Sequence, residues 1–381
     1  MGFLAIIIII AVIVFQGWLF DKLAFFKLDY KCELSTIEAC EGDEIQLIET
    51  VVNRKFLPVP WLKVSINTSR WLEFAETRSV ISQDSRYVTS GFYLNGKQKI
   101  VRRWRLKCLK RGIFRIDNVS LLSGDLLGVR TQSVPVPVNL CLKVYPSIID
   151  IDNIFLPTNY LQGETIVRRW IIDDPFIVSG ARNYTPSDPM SRIHWSASAK
   201  EGKLMVKKND FTSQYSMTVV LNIQSIENEY FETVNKDIIE YGIKVTASIF
   251  DIALKQGIPV RFACNGSVQK ESTGTILTGE SAGREHICSL LEMLARLELK
   301  RILDFEDFLK ENIGEFNNCD VIMITTYITE EIMSSILEMK ISQNRVSMVL
   351  LGDESSIKTD LPEDIQIHIL PGVGGTYAGK I

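Results

Sequence analysis

The first twenty residues form an almost unbroken hydrophobic run. Residues 1–20 contain no ionised side chain and include five consecutive isoleucines, Ile6 to Ile10. As a helix they would extend roughly 30 Å, the thickness of the hydrocarbon core of a bilayer. The segment lacks the basic start and the small-residue cleavage site of a signal peptide. The pattern therefore predicts an uncleaved, single-pass transmembrane helix over residues 1–20 that anchors the chain in a lipid bilayer.

Residues 30–145 show a different pattern. Short runs rich in Val, Ile and Leu alternate with Gly, Asn and Pro, and no long amphipathic segment interrupts them. This spacing is typical of strands joined by turns. We predict a β-sandwich domain over residues 30–145 and a connector over residues 150–179.

From residue 209 to residue 381, short apolar runs alternate with amphipathic stretches. The pattern predicts strands at 217–223, 260–264, 321–325, 346–351 and 365–370. Helices are predicted near 231–255, 284–297, 305–312 and 330–342. This alternation favours a doubly wound α/β domain. The predicted fold class is thus multidomain: an N-terminal transmembrane helix, a β-sandwich and a doubly wound α/β domain.

The segment 180–208 joins the two predicted domains. Asp188 followed by Pro189 favours a helix start, because Asp accepts hydrogen bonds from free amides and Pro tolerates the first helical position. A short helix is predicted from Pro189 to about Ala199. Gly202 can adopt the left-handed conformation that ends a helix, and a strand is predicted from Lys203 onward.

Charged and aromatic side chains of the same segment form a candidate network. Arg182, Asp188 and Arg192 could form ion pairs and stack on Trp195. Such a network suits either a partner's docking site or a rigid corner between two domains. The residues alone do not separate these interpretations.

This segment closely resembles the signature of the bacterial domain of unknown function 58 family. The matching positions are Arg182, Tyr184, Pro186, Asp188, Arg192, Ile193, Trp195, Leu204, Met205, Val206 and Lys207. The resemblance implies a von Willebrand A-like domain over residues 209–381. It also makes six residues candidates for an interaction or structural role: Arg182, Tyr184, Asp188, Arg192, Trp195 and Lys207.

The same resemblance implies a function. Members of the family are commonly associated with MoxR-type AAA+ ATPases, so a membrane-anchored, non-enzymatic adaptor or assembly protein is expected. Its partners would be a MoxR-type ATPase and other membrane or envelope proteins, and its role would be the maturation of envelope complexes. No catalytic residue and no cofactor are predicted.

Domains similar to von Willebrand A often bind Mg²⁺ through an Asp-x-Ser-x-Ser motif at the strand ends. The equivalent positions here are Asn222, Gln224 and Ile226, and a later strand ends in Thr325 and Thr326. A hard cation prefers carboxylate and hydroxyl oxygens. Because the anionic ligand is missing, no metal site is predicted.

Charge and cysteine content indicate the compartment. The net charge of -4 does not favour a nucleic-acid partner. Seven scattered cysteines without a Cys-x-x-Cys pair suit a reducing compartment. Lys22 and Lys27 follow the apolar segment, which places the soluble body in the cytoplasm by the positive-inside rule. The predicted location is the cell membrane, with a cytoplasmic body.

Two alternatives stay open. Asp188 and His194 could serve as acid and base of an envelope hydrolase, although a spacing of six residues does not bring them to one helix face. A metal-dependent adhesion domain outside the cell is the other alternative, and it requires the reversed topology.

Overall fold

A computed structural model describes residues 2–75, 79–125, 130–151, 172–185, 190–212, 216–230, 232–268, 274–359, 362 and 365–371. Its first element is the helix α1, Gly2–Leu23. The end of α1 contacts the folded body. Gly17 lies beside the side chains of Asp125 and Arg130, and the Lys55 ammonium donates to the carbonyls of Leu23 and Ala24.

The predicted transmembrane helix is corrected by the structure. Among the residues described, no helix is long and apolar enough to cross a membrane. The prediction rested on the hydrophobicity of residues 1–20 alone, whereas the last turns of α1 pack against polar residues of the body. The chain consists mostly of strands in several sheets, with a smaller helical part. The predicted fold class is therefore wrong.

Ten of the described strands lie between Leu28 and Tyr145 and form two sheets. They are β1 Leu28–Leu34, β2 Glu38–Cys40, β3 Glu44–Asn53, β4 Val59–Ser69, β5 Leu72–Phe74, β6 Ser79–Ser82, β7 Ser85–Leu94, β8 Lys99–Cys108, β9 Gly112–Gly124 and β10 Thr131–Tyr145. The smaller sheet has the order β1-β3-β8-β5, and the larger has the order β2-β10-β9-β4-β7-β6. Only β2 and β10 pair in parallel among these described strands.

Apolar side chains at every second strand position form the core between these two sheets. In β3, Ile45, Leu47 and Val51 are buried while their neighbours face outward, as a period of two requires. Glu49 also points inward and is fully buried. Its carboxylate accepts hydrogen bonds from the Tyr30 hydroxyl at 2.9 Å and from the Trp104 indole at 2.5 Å. Neutral donors thus satisfy this buried charge.

A two-stranded hairpin follows. It pairs β11, Ile172–Asn183, with β12, Met205–Thr212, in antiparallel register. A 3-10 turn, Met190–Arg192, and the short helix α2, Trp195–Glu201, lie between the strands. We call the described residues 172–185 and 190–212 the signature hairpin.

The described residues from 216 onward form a three-layer α/β unit. Its central sheet has the order β16-β14-β13-β18-β19-β20, parallel except for β16. The strands are β13 Met217–Leu221, β14 Val260–Cys264, β16 Ile276–Leu277, β18 Asp320–Thr325, β19 Arg345–Leu351 and β20 Gln366–Leu370. A separate ribbon pairs β15, Gly266–Val268, with β17, Leu297–Arg301.

Helices cover both faces of this sheet. The helices α3, Lys236–Gln256, and α4, Arg284–Arg296, contribute to the core on one face. The helices α5, Phe305–Asn312, and α6, Glu330–Ile341, contribute to the core on the other. Strands buried on both faces explain the nearly continuous apolar runs in the sequence.

Candidate functional site

The tip of the signature hairpin is held by hydrogen bonds within the hairpin itself. His194 precedes α2, and its Nδ1 accepts a hydrogen bond from the Ala197 amide at 3.2 Å. The Ser198 hydroxyl donates to the His194 carbonyl at 3.0 Å and accepts from the Met205 amide at 2.8 Å. Gly202 ends α2 with φ 64°, as predicted. The tip is therefore a small, internally bonded unit.

The single helix predicted from Pro189 to about Ala199 is wrong. A 3-10 turn, Met190–Arg192, is followed by the separate helix α2, which begins at Trp195 and is capped by His194, while Asp188 and Pro189 lie outside the described residues. The physical reason lies in Ile193, which is buried and forms a β-bridge with Val206. That bridge separates the 3-10 turn from α2.

The residues of the predicted network are only partly described. Arg182 is exposed and its guanidinium donates to the Asn183 carbonyl at 3.2 Å. Tyr184 is half-buried and Lys207 is exposed. Asp188 and the side chain of Arg192 lie outside the described residues. The network itself thus stays a prediction.

Apolar side chains at the tip face solvent. Trp195 is 69% exposed, Met190 67% and Leu204 45%. The helix α2 buries none of its described residues. Large apolar side chains exposed together indicate an interaction surface more often than isolated ones do. We call Met190, Trp195 and Leu204 the hairpin tip patch.

A second candidate site lies at the C-terminal edge of the parallel sheet. From β13 the chain passes to β14 on one side and later to β18 on the other, so the loops after β13 and β18 flank a switch point. Ligands of open α/β sheets bind at such points. The residues there include Asn222, Gln224 and Thr325, which the sequence analysis had singled out.

Buried amides fill this switch point. The Asn265 amide donates to the side-chain carbonyls of Asn222 at 3.2 Å and Gln224 at 3.1 Å. Asn222 in turn donates to the Thr325 hydroxyl at 3.1 Å. The Gln224 carbonyl also accepts the Phe305 amide at 2.7 Å. We call Asn222, Gln224, Asn265 and Thr325 the amide cluster.

The polar groups of the amide cluster mainly bond to one another. Its side-chain carbonyls already accept hydrogen bonds, and Ile226, the third predicted position, is exposed. Among the described residues, no group of three or more His, Cys, Asp or Glu side chains could hold a metal ion. The arrangement joins the ends of β13, β14 and β18 through hydrogen bonds between side chains.

Ion pairs join the sandwich to the α/β unit. The buried Arg111, between β8 and β9, donates to the Glu240 carboxylate on α3 at 2.7 and 3.3 Å. It also donates to the carbonyls of Leu294 and Leu297 at the end of α4, where the helix dipole favours a cation. Further pairs are Lys110 with Glu240 at 3.1 Å, Lys143 with Glu292 at 2.5 Å and Lys244 with Glu41 at 2.7 Å. We call the seven charged residues of these pairs the interface cluster: Glu41, Lys110, Arg111, Lys143, Glu240, Lys244 and Glu292.

The interface cluster should make stability depend on pH. Burial alone would raise the pKa of Glu240, but the charges and hydrogen bonds of Arg111 and Lys110 hold it below 4.5, its ordinary value. A hydrogen bond from Lys143, opposed by burial, and the charges of Lys143 and Arg296 lower the pKa of Glu292. Both groups therefore stabilise the fold above their ordinary pKa values, and this contribution is lost as the pH falls through the lowered values.

We expect the melting temperature to fall between pH 5 and pH 3 less steeply in Glu240→Gln than in the unaltered protein, because the variant has no such proton to take up. Thermal unfolding followed by circular dichroism across that range measures this. Glu338→Gln, an exposed position on α6, is the matched control and should keep the original slope. Equal slopes for both variants would contradict the expectation.

Sequence reasoning did not find the interface cluster or Asn265. Residues 97–111 are rich in Lys and Arg, and nothing in the sequence distinguishes Arg111 from the others. Its partner Glu240 lies 129 residues away along the chain. Arg111 directly precedes Gly112, the first residue of β9, and nothing in that local sequence indicates the partner on α3.

Comparison with known proteins gives one family match. Residues 180–356 match the family model described as Protein of unknown function DUF58. No curated protein matches. A non-cellulosomal cohesin from Archaeoglobus fulgidus is 13% identical, with 30% of this chain and 91% of that chain covered and a TM-score of 0.22. A CARDB domain from Pyrococcus furiosus is 15% identical, with 31% and 86% covered and a TM-score of 0.21. Likenesses at these TM-scores support no further conclusion.

Proposed function

We propose that the protein is a non-enzymatic adaptor or assembly protein that binds a partner through the hairpin tip patch. The observation that carries the proposal is the exposure of three large apolar side chains, Trp195, Met190 and Leu204, on an internally bonded tip. Tryptophan and methionine are enriched at interfaces, and tryptophan is frequent among the residues that carry most binding energy.

The geometry favours a docking role over that of a rigid corner. A corner between two domains would bury its aromatic residue and its helix. Here α2 buries none of its described residues and Trp195 faces solvent. The buried contact between the sandwich and the α/β unit is instead made by the interface cluster.

The identity of the partner rests on the family resemblance. Residues 180–356 match a family of unknown function, and the resemblance of the signature supplies the MoxR-type AAA+ ATPase, with envelope proteins as further partners. The von Willebrand A-like description of residues 209–381 has the same source. Location of the body in the cytoplasm at the cell membrane stays a prediction, which fractionation of native cells tests.

Trp195→Ala should weaken partner binding strongly without unfolding the protein. Removing a central tryptophan costs about 2 kcal/mol or more of binding free energy, a loss of roughly thirtyfold in affinity. The melting temperature should change little, because most of the Trp195 surface already faces solvent. The measurement is affinity capture of full-length protein from its native cells with ATP and Mg²⁺, followed by mass spectrometry of the bound ATPase.

Phe56→Ala is the matched control, since Phe56 is an exposed aromatic residue outside the hairpin. It should recover as much ATPase as the unaltered chain. Equal recovery with Trp195→Ala would contradict the docking proposal, and recovery of no ATPase by the unaltered chain would contradict the choice of partner.

A further inference from the structure

One end of the sandwich lies away from the α/β unit. The last residues of β8 and β10 adjoin or include Arg111 and Lys143, which pair with that unit. The opposite strand ends are joined by the loop 54–58, between β3 and β4, and by the turn 95–98, between β7 and β8. The segment 24–27, between α1 and β1, is hydrogen-bonded to the loop. We call these three segments the free end of the sandwich.

Two phenylalanines at the free end face solvent, each beside a lysine. Phe26 is 53% exposed and Phe56 is 81% exposed. The Lys27 ammonium lies 5.3 Å from the centre of the Phe26 ring, and the Lys97 ammonium lies 3.9 Å from the centre of the Phe56 ring. Contact between a phenyl ring and water is unfavourable. Exposed rings that cluster at one end of a domain indicate a surface that another body covers.

The loop that carries Phe56 is fixed from below. Asn53 is fully buried, and its side-chain amide donates to the carbonyls of Leu57 and Asn95, both at 2.9 Å. Gly96 packs so closely that a Cβ there would lie 2.1 Å from the Phe56 carbonyl oxygen. The loop 54–58 and the turn 95–98 are thus locked together. Because Phe56 is already held outward, its use in binding avoids the entropic cost of ordering a loop.

The two lysines adopt a backbone conformation that is uncommon outside glycine. Lys27 has a φ of 51° and Lys97 a φ of 56°. Hydrogen bonds hold both turns, because the Arg54 amide donates to the Lys27 carbonyl and the Lys97 amide donates to the Lys55 carbonyl, each at 2.9 Å. Uncommon conformations that the surrounding structure maintains concentrate at functional sites. The placement of these lysines is therefore a second, independent sign of function at the free end.

The free end is locally basic. Its three segments contain four basic residues and no acidic one, whereas the whole chain has a net charge of -4. Lys55 is buried, and Arg54 pairs with the neighbouring Asp29 at 2.5 Å. Lys27 and Lys97 are exposed and supply the remaining positive charge. The partner of this surface should therefore carry negative charge.

The combination of rings and charges distinguishes between anionic partners. A nucleic acid requires many phosphate contacts, which two lysines do not provide. An acidic protein segment would pair with the lysines, but it would leave the adjoining exposed side chains of α1, such as Phe15 and Trp18, in water. A lipid surface offers anionic headgroups and, directly beneath them, an apolar layer. Aromatic rings and lysine stems are both stable at that boundary.

We propose that the free end binds the surface of an anionic lipid bilayer. Phe26 and Phe56 enter the headgroup region, and Lys27 and Lys97 contact the anionic headgroups. This contact requires no segment that crosses the bilayer. It is also independent of the hairpin tip patch, which lies in the signature hairpin and stays available for a protein partner.

Flotation of the full-length protein with lipid vesicles tests the proposal. The probes are vesicles of phosphatidylcholine alone and vesicles of phosphatidylcholine and phosphatidylserine in equal parts. The unaltered protein should bind the mixed vesicles more tightly, and added salt should reduce the difference. The double variant Lys27→Gln, Lys97→Gln should bind the mixed vesicles about thirtyfold more weakly, equivalent to about 2 kcal/mol. Its binding to pure phosphatidylcholine and its melting temperature should change little.

A second variant tests the aromatic contribution. Phe56→Ala should weaken binding to both kinds of vesicle about tenfold, because the contribution of an apolar ring does not depend on lipid charge. Its melting temperature should not fall, since the ring is largely exposed. Tyr87→Ala is the matched control, because Tyr87 is an exposed aromatic residue towards the other end of β7. It should bind like the unaltered protein.

The charge control is the double variant Lys200→Gln, Lys203→Gln, which removes two exposed lysines of the signature hairpin. It should keep the preference for mixed vesicles. Equal binding of the unaltered protein to both kinds of vesicle overturns the proposal, since α1 alone would then account for it. Undiminished binding of mixed vesicles by the free-end lysine variant also overturns it. So does an equal loss in the hairpin lysine variant.

Discussion

Replacing Arg111 with methionine is expected to lower the free energy of unfolding by about 3–5 kcal/mol, the range found when one partner of a buried ion pair is removed. Methionine keeps the apolar stem of the side chain but removes the donors to Glu240, Leu294 and Leu297. Two carbonyls at the end of α4 then lose a charged donor. Lys110 still neutralises Glu240 in part, which favours the lower end of the range. Urea unfolding at pH 7 measures the change.

Arg103→Met is the matched control for this change. Arg103 lies on β8 like the residues leading to Arg111, but its side chain is exposed. Exposed substitutions usually stay within about 0.5 kcal/mol. The double variant Arg111→Met, Glu240→Gln should recover part of the loss, because no buried charge is then left without its partner. A loss below about 1 kcal/mol in the single variant would show that the ion pair does not hold the two units together.

The second large effect is expected in the amide cluster. Asn265→Ala should lower the free energy of unfolding by about 3 kcal/mol, because each buried polar group left unpaired costs about 1–3 kcal/mol. The Ile223 amide loses its acceptor at 2.9 Å, and the carbonyls of Asn222 and Gln224 each lose a donor. Urea unfolding again measures the change.

Asn265→Asp tests the hydrogen bonds of Asn265 while nearly preserving the shape of its side chain. Aspartate has nearly the same shape, but its ionised form faces two carbonyl oxygens in a buried site. Burial raises the pKa of such a carboxyl, so its destabilisation should grow as the pH rises from 4 to 8. The loss in Asn265→Ala should stay constant over that range. Asn317→Ala, on an exposed side chain, should change little. A pH-independent loss in Asn265→Asp would contradict the placement of these carbonyls.

Several elements of the α/β unit were predictable because strands buried on both faces appear in the sequence as short, continuous apolar runs. The predicted helix 305–312 coincides with α5, Phe305–Asn312. The predicted strand 260–264 coincides with β14, Val260–Cys264. In both cases the run of apolar residues and its length decide between helix and strand. The ribbon of β15 and β17 was missed. Strand β17 has only five residues and follows a helix directly, so its hydrophobic pattern cannot be separated from that of the helix.

The signature segment shows where local signals fail. A single helix was predicted there, but the bridge between Ile193 and Val206 divides it into the 3-10 turn, Met190–Arg192, and α2. Strand pairing thus interrupts the helix that the local sequence favours. The exposure of Trp195 was not predictable either, because the sequence does not show whether a tryptophan in a short helix faces solvent or the protein.

The candidate sites depend on contacts that no window of sequence contains. The amide cluster joins Asn222 to Asn265 and Thr325, at separations of 43 and 103 residues. Arg111 and Glu240 of the interface cluster lie 129 residues apart in the chain. Their positions follow from sheet order, which hydrophobic patterning does not specify.

The distribution of charge in the interface cluster has a consequence for how the chain assembles. The sandwich contributes Lys110, Arg111 and Lys143 against Glu240 and Glu292, while Glu41 and Lys244 reverse the sign. Large chains fold unit by unit, so these partners meet only after each unit has its own sheet. Because of the reversed pair, a sliding or rotated encounter sets like charges together. The mixed signs of these pairs therefore favour the observed placement of the two units over one rotated about their contact.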